Sequence, residues 1–458
     1  MLNLRTYSSL VSQTDNLKSE VPMSNEAASH DIFNKCFTYD ESKRVQAAGL
    51  YCFFRPIEET TGGNVVTHGK KRVMIGSNNY LGLTHDKRVM EAAKNAIDRY
   101  GTGFTGSRFL NGNSVLHEEL EEKLARFTGK EAALVFATGF QSNQGALSAL
   151  MGKKDVVFSD QENHASIIEG TRAAAGKTIV FRHNDMEDLE RKLKEHRELY
   201  EGALIVADGV FSMSGDILNL PCVIALAKKY NCRTYVDDAH SLGVLGPQGQ
   251  GTEFHFNMPN SADIVMGTFS KSFASVGGYV AGNADVINYI KHHARHFMFT
   301  AALPPSAAAT VLKCMQIVQE EPHHLESLRK NSKKMSTELS RMGYFTLGSQ
   351  TPIVPLLIGD DMQALAFSQK LYENGVFATP VLRPAVPEGC ALMRTSYMAS
   401  HTDADLDYSL TVLEKLGKAF GILGNADRRA QFDTMAEKHF GKRGFQTSAP
   451  APAPAKFA

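Results

Sequence analysis

The sequence predicts an α/β protein: a large domain on a mostly parallel sheet with helices on both faces, followed by a smaller C-terminal α+β domain. Three observations predict it. Short apolar runs of strand length alternate with stretches of helical period through the middle of the chain. Several of the separators are helices rather than tight turns, and parallel strands need such crossovers. After Leu303-Pro304-Pro305 the alternation gives way to a long helix, then strands, then helices. The 458 residues are enough for two or three domains.

Taken in order, residues 1–30 are polar and aperiodic and read as a mobile arm. Residues 31–75 form an N-terminal segment ahead of a large domain at 76–305. VMEAAKNAIDRY and LHEELEEKLARF have helical spacing, with Leu116, Leu120 and Leu124 on one face. The runs AALVFA, DVVFSD, TIVFRH, GALIVAD, CRTYVDD and ADIVMGT read as buried strands. MEDLERKLKEHREL and LPCVIALAKKY are helices between them. The smaller domain is placed at 306–424. The tail, 425–458, ends in the Pro/Ala-rich QTSAPAPAPAKFA and reads as partly disordered.

Composition excludes several function classes. Hydrophobic residues make up 43% and charged residues 21%, ordinary for a soluble globular protein. Lys+Arg and Asp+Glu are both 49, so no net field points to nucleic acid or to an anionic membrane. The six cysteines show no CxxC spacing, which suggests neither a zinc site nor a disulfide framework and fits a reducing cytoplasm. No apolar run approaches the roughly 18 residues that span a bilayer. Asp15, Lys18 and Glu20 interrupt any secretory apolar region. Peripheral contact with the inner face of a membrane stays open.

Three segments carry chemistry. In VDDAHSLG, a strand ends in Asp237 with His240 three residues on; groups at strand ends line the ligand crevice of α/β folds. Taken alone, the pair fits a capping acid and a surface histidine equally well. GTFSKSFASVGGYVAG places Thr268, Ser270 and Lys271 after another strand, two hydroxyls for an anion and an amine able to form a Schiff base. In ATGFQSNQGALSAL, a strand, a turn at Gly139 and a helix beginning near Gln141 leave free N–H groups where a phosphate can sit.

Together these segments resemble the α-oxoamine synthases, fold type I enzymes that use pyridoxal 5'-phosphate (PLP). The resemblance covers roughly residues 40–420. It rests on SNNYLGL, GSRFLNG, TGFQSN, NHAS, DGVFSMSGD, DDAHSLG, GTFSKS, FTAALPP and MRTSYMASHT in that order. It implies that Lys271 carries PLP as a Schiff base and that Asp237 pairs with the pyridinium nitrogen. It implies that His164 stacks on the ring, and that Ser212 and His240 bond its 3-oxygen. Backbone groups of Gly139 and Phe140, with Thr268 and Ser270, would hold the phosphate. Thr300 would reach the phosphate of a partner subunit, which makes the enzyme a homodimer with shared sites. Arg394 would bind the substrate carboxylate with help from Asn79, and Arg108 would approach the acyl-CoA. His164 would also contact the substrate carboxylate or the thioester oxygen. No metal is implied.

The reaction implied is removal of an α-proton by Lys271, attack on an acyl-CoA thioester, and loss of CoA and CO2. Within the family, GSRFLNG, GVFSMSGD, GTFSKS and FFRPIEE are most similar to the members that use L-serine and a long-chain acyl-CoA. Those members carry an arginine in a loop R-P-P-A-T-P; here the loop reads RPAVPEG, and the resemblance implies that its Arg383 binds substrate with Arg394. The competing readings are a relative using glycine or alanine with a shorter acyl-CoA, a PLP aminotransferase, and a non-catalytic partner subunit. Lys271, Asp237 and His164 occurring together argue against the last.

Overall fold

All six apolar runs form strands in the computed structural model, which describes residues 31–425, 428 and 430–435. Numbered along the chain, β1 (Glu59–Thr61), β2 (Asn64–Thr67) and β3 (Lys70–Met74) come first. Then follow β4 (Ala132–Phe136), β5 (Asp155–Asp160), β6 (Lys177–Phe181), β7 (Gly202–Asp208), β8 (Arg233–Asp237), β9 (Ile264–Thr268) and β10 (Gly278–Gly282). These seven make one sheet in the order β4-β10-β9-β8-β7-β5-β6. The pairs from β9 through β6 are parallel. β10 runs antiparallel to both of its neighbours.

Side chains alternate across the sheet as the pleat requires. Val157, Leu204, Val206 and Tyr235 pack with Ala146, Leu147 and Ile167 of the helices Gly139–Leu150 and Ala165–Ala173. Val156, Phe158, Ile205, Ala207 and Val236 pack on the other face with Leu189, Leu193, Leu220 and Val223. Burial on both faces explains why these strands read as unbroken apolar runs.

The smaller unit is an antiparallel sheet of β11 (Ile353–Gly359), β14 (Ala391–Ser396) and β13 (Thr379–Val381) in that order. A short β12 (Val376–Phe377) pairs parallel with β3. Residues 31–75 therefore do not stand apart: Val73 and Ile75 share a core with Val354, Leu356, Phe367 and Leu413. The helix Pro305–Glu320, expected to open the smaller domain, instead packs Ala308, Val311, Cys314 and Val318 against Val89, Leu120 and Leu124 of the large one. Its apolar stripe finds a partner there. The next helix, His323–Met342, puts Leu325 and Leu328 into that core, and Met335 and Leu339 into the smaller unit's core.

The arm read at 1–30 lies outside the described residues, as does most of the tail at 425–458. The six cysteines are unpaired, four of them buried. Among the described residues no helix is long and apolar enough to cross a membrane.

Candidate active site

The carboxyl ends of β7, β8 and β9 place Asp208, Asp237 and Thr268 along one edge of the sheet. Asp237 is buried, as its place at the end of an apolar strand dictates, so its oxygens need donors. It accepts from Asn143 Nδ2 at 2.7 Å and from the Ala239 N–H at 2.8 Å. Asn143 is held in turn by the Tyr235 hydroxyl at 2.8 Å and reaches Ser166 Oγ at 2.8 Å. Ser166 lies 2.7 Å from His164 Nδ1. One hydrogen-bonded chain thus connects the acid to the histidine expected to stack.

Lys271 keeps part of its surface open to the cleft. Protein packed around its amine still makes desolvation the dominant influence, and its pKa falls to about 7. Asp237 opposes that shift and Arg394 adds to it. Burial likewise lowers His164 and His240, with the Lys271 charge acting in the same direction on both. The two imidazoles are therefore neutral near pH 7. Tyr80 Oη lies 2.7 Å from His240 Nδ1 and accepts from Arg394 at 3.5 Å. The Tyr80 hydroxyl also donates to Asn78 Oδ1 at 3.3 Å, so it links His240, Asn78 and Arg394.

The anion end forms where the helix Gly139–Leu150 begins. This start is two residues earlier than expected because Thr138 caps it: its Oγ1 takes the Gln141 N–H at 3.2 Å. The N–H groups of Gly139 and Phe140 remain as first-turn donors. A Cβ on Gly139 would come 2.5 Å from Thr268 Oγ1, so only glycine lets the helix end approach that hydroxyl. Thr268 Oγ1 is 3.2 Å from the exposed Ser270 Oγ. Residues present thus fit PLP at each end: an acid for the ring nitrogen, an amine, a neutral ring to stack, and hydroxyls around a helix N-terminus.

Arg394 stands on β14, across the cleft from the large sheet. Its Nε donates to the Ser212 carbonyl at 2.7 Å, which fixes the guanidinium in place. Asn79 donates to Thr84 Oγ1 at 2.9 Å, and its Oδ1 is buried without a hydrogen-bond partner.

Two expected residues, Arg108 and Arg383, are placed differently. Arg108 was expected to approach the acyl-CoA; it is buried instead. It binds Glu121 through two bonds of 2.8 and 3.0 Å and Asn113 at 2.6 Å. Glu121 also accepts the Val135 N–H of β4 at 2.9 Å. A guanidinium buried here needs those partners, so Arg108 ties the 106–112 loop to the sheet. Arg383 is not brought to Arg394. In the register Thr379 faces Arg394 and Val381 faces Leu392, so β13 carries the chain away from it. Arg383 pairs with Asp361 at 3.0 Å and with Glu388 at 3.5 Å beside a separate cleft. Thr300 lies within reach of Gln141 of its own chain, at 3.4 Å.

Sequence reasoning missed Tyr80, Asn143 and Asp208. All three sit inside quoted motifs, SNNYLGL, TGFQSN and DGVFSMSGD. Asn143 falls one helical turn after Gly139, a spacing that marks the inward face of the phosphate-end helix.

Comparison with known proteins agrees with this geometry. The family described as aminotransferase class I and II matches residues 70–413. A Bacteriovorax stolpii protein named serine palmitoyltransferase is 52% identical over 409 residues, 89% of this chain and 97% of that protein. A Treponema denticola protein named 8-amino-7-oxononanoate synthase is 44% identical over 393 residues, 86% of this chain and 100% of that one. Among solved structures, a serine palmitoyltransferase variant from S. paucimobilis with bound PLP–myriocin aldimine gives a TM-score of 0.83 at 34% identity. That likeness covers 86% of this chain and 100% of the other.

Proposed function

The chain belongs to the α-oxoamine synthases, within the class I and II aminotransferase family of PLP-dependent enzymes. From that premise we propose that it condenses L-serine with a long-chain acyl-CoA, palmitoyl-CoA foremost, to 3-oxosphinganine, CoA and CO2. The observation that carries the reading is Arg394, locked by Ser212 and Tyr80 in the cleft where its charge reaches Lys271. A planar guanidinium held there binds the carboxylate of an amino acid whose amine has reached the cofactor.

When bound, PLP supplies an electron sink for the amino acid's Cα. Lys271, whose pKa of about 7 leaves much of its amine unprotonated at neutral pH, takes the α-proton. Arg394 orients the carboxylate that leaves as CO2. The neutral His164, its Nδ1 engaged by Ser166, would offer a ring face to the cofactor and its other nitrogen to the carboxylate or the thioester oxygen. Asp237, held by two donors with acceptor capacity to spare, would pair with the ring nitrogen.

A homodimer with shared sites is part of the proposal. Ala302 N–H donates to the Gly106 carbonyl at 2.9 Å, and Ser107 bridges to Ala301. The loops so joined display Phe109, Leu110 and Phe299, all exposed, around Thr300. An apolar patch beside the anion end of the site suits burial against a second copy.

CoA release with L-serine, glycine or L-alanine against acyl-CoA of increasing length tests the substrate. Each buried CH2 contributes about 0.8 kcal/mol, so kcat/KM should climb toward C16 with serine preferred. A preference for alanine or glycine with a short acyl chain would replace serine by another substrate pair of the same family.

A further inference from the structure

We propose that Asp208, working as a neutral carboxylic acid beside Asp237, is a positioning residue that sets His164 and protects the reactivity of Lys271. The inference rests on the PLP site described above. Asp208 and Asp237 are register partners at the ends of the adjacent parallel strands β7 and β8. Strands in a sheet lie about 4.8 Å apart, and register partners point to the same face. Both carboxyls are buried, each 3% exposed.

Two buried carboxyls so placed do not both ionise; the less well-supplied one keeps its proton. Asp237 has the Asn143 amide and the Ala239 N–H. Asp208 Oδ1 is buried without any hydrogen-bond partner. Around Asp208 stand Asp237 on β8, Lys271 after β9, the His164 N–H at the start of its helix, and Asp160 at the end of β5. Burial and then the Asp237 charge push the Asp208 carboxyl well above the usual range, against the pull of Lys271 and the His164 N–H.

The same residue fastens the loop that carries His164. The Asp208 N–H donates to Asn163 Oδ1 at 2.9 Å. Asn163 Nδ2 donates to the Val206 carbonyl at 2.8 Å and to Ser159 Oγ at 2.9 Å. The Asp208 carboxyl faces the next N–H along, that of His164. Neutrality matters for Lys271: an anionic Asp208 favours the ammonium and works against the burial that lowers the amine's pKa.

The test is PLP capture by the cofactor-free protein, followed by visible absorbance across pH, with melting temperature and PLP affinity measured alongside. In the wild type the capture rate should rise as Lys271 loses its proton, at about pH 7 or below. Asp208→Asn, neutral and of the same shape, should melt as the wild type does, bind PLP within about threefold, and keep the midpoint. Asp208→Ala should weaken PLP binding about tenfold and diminish the circular-dichroism band of the bound cofactor. A midpoint about one unit or more lower in Asp208→Asn would show that the wild-type residue is charged, and overturns the proposal. So does an Asp208→Ala protein that matches the wild type in affinity. A wild type that captures no PLP at any pH would sink the cofactor site itself, before either variant is compared.

Discussion

In the proposed reaction Arg394 is the residue that holds the amino acid's carboxylate. A charge-assisted bidentate pair contributes about 1.5–3 kcal/mol. Arg394→Ala should therefore weaken L-serine binding roughly ten- to a hundredfold, read from the serine-induced change in cofactor absorbance. Arg394→Lys should recover only part, because an ammonium lacks the fork; unchanged serine affinity in both variants would remove Arg394 from the site. At this scale the sequence was legible where chemistry restricts the choice of residue. Lys271, Asp237 and Arg394 each have few substitutes, and all three lie in the cleft. It was illegible where a residue type serves two purposes. An arginine in GSRFLNG suits an acyl-CoA phosphate and a buried carboxylate alike, and only the fold reveals Glu121 beside Arg108.

Among the elements, the loop after β7 shows how a site residue is held from behind. His183, in the turn between β6 and the helix Met186–His196, is buried and lies 3.1 Å from both Asp160 and Asp216. Burial works against its charged form, but Asp216 and Asp160 outweigh it, and its pKa rises well above the usual value. Asp216 closes the loop that begins at Gly209 and carries Ser212, the carbonyl partner of Arg394. Gly215 in that loop has φ 72°, and a Cβ there would come 2.5 Å from the Ile353 carbonyl. A group whose folded pKa is raised stabilises fully below its unfolded value, about 6.5 for histidine. That stabilisation is lost as pH rises through the raised folded value. His183→Gln should thus lower the melting temperature most at mildly acidic pH, with the gap to wild type closing on the alkaline side. Removing one partner of a buried ion pair costs about 3–5 kcal/mol, and the loosened loop should also raise KM for serine. A gap that widens with pH would contradict a charged His183. Period and length located β4 to β9, but not β10: GGYVAG is too short and glycine-rich to stand out from its loop. Its strand character comes from pairing with β4 and β9.

At the scale of the whole molecule, the expected division near residue 305 followed a change in pattern, whereas packing follows apolar faces. The helix Pro305–Glu320 belongs to the large core, and His323–Met342 runs from that core to the smaller one. Sequence period reports that a face is apolar, not what will cover it. Assembly is the remaining level. Sedimentation should give the mass of two copies, and Phe299→Asp together with Leu110→Asp should shift it toward one while lowering PLP occupancy. A fully active monomer would refute shared sites. One contact described above limits how copies can meet. β4 is an edge strand, and such an edge recruits foreign strands wherever its amides stand free. The Glu121 carboxylate occupies the outward N–H of Val135 while it grips Arg108. That edge is closed to sheet extension at its centre. Copies crowded together have their side-chain faces left to join by, and the route from a finite pair to an open-ended fibril is blocked at that strand.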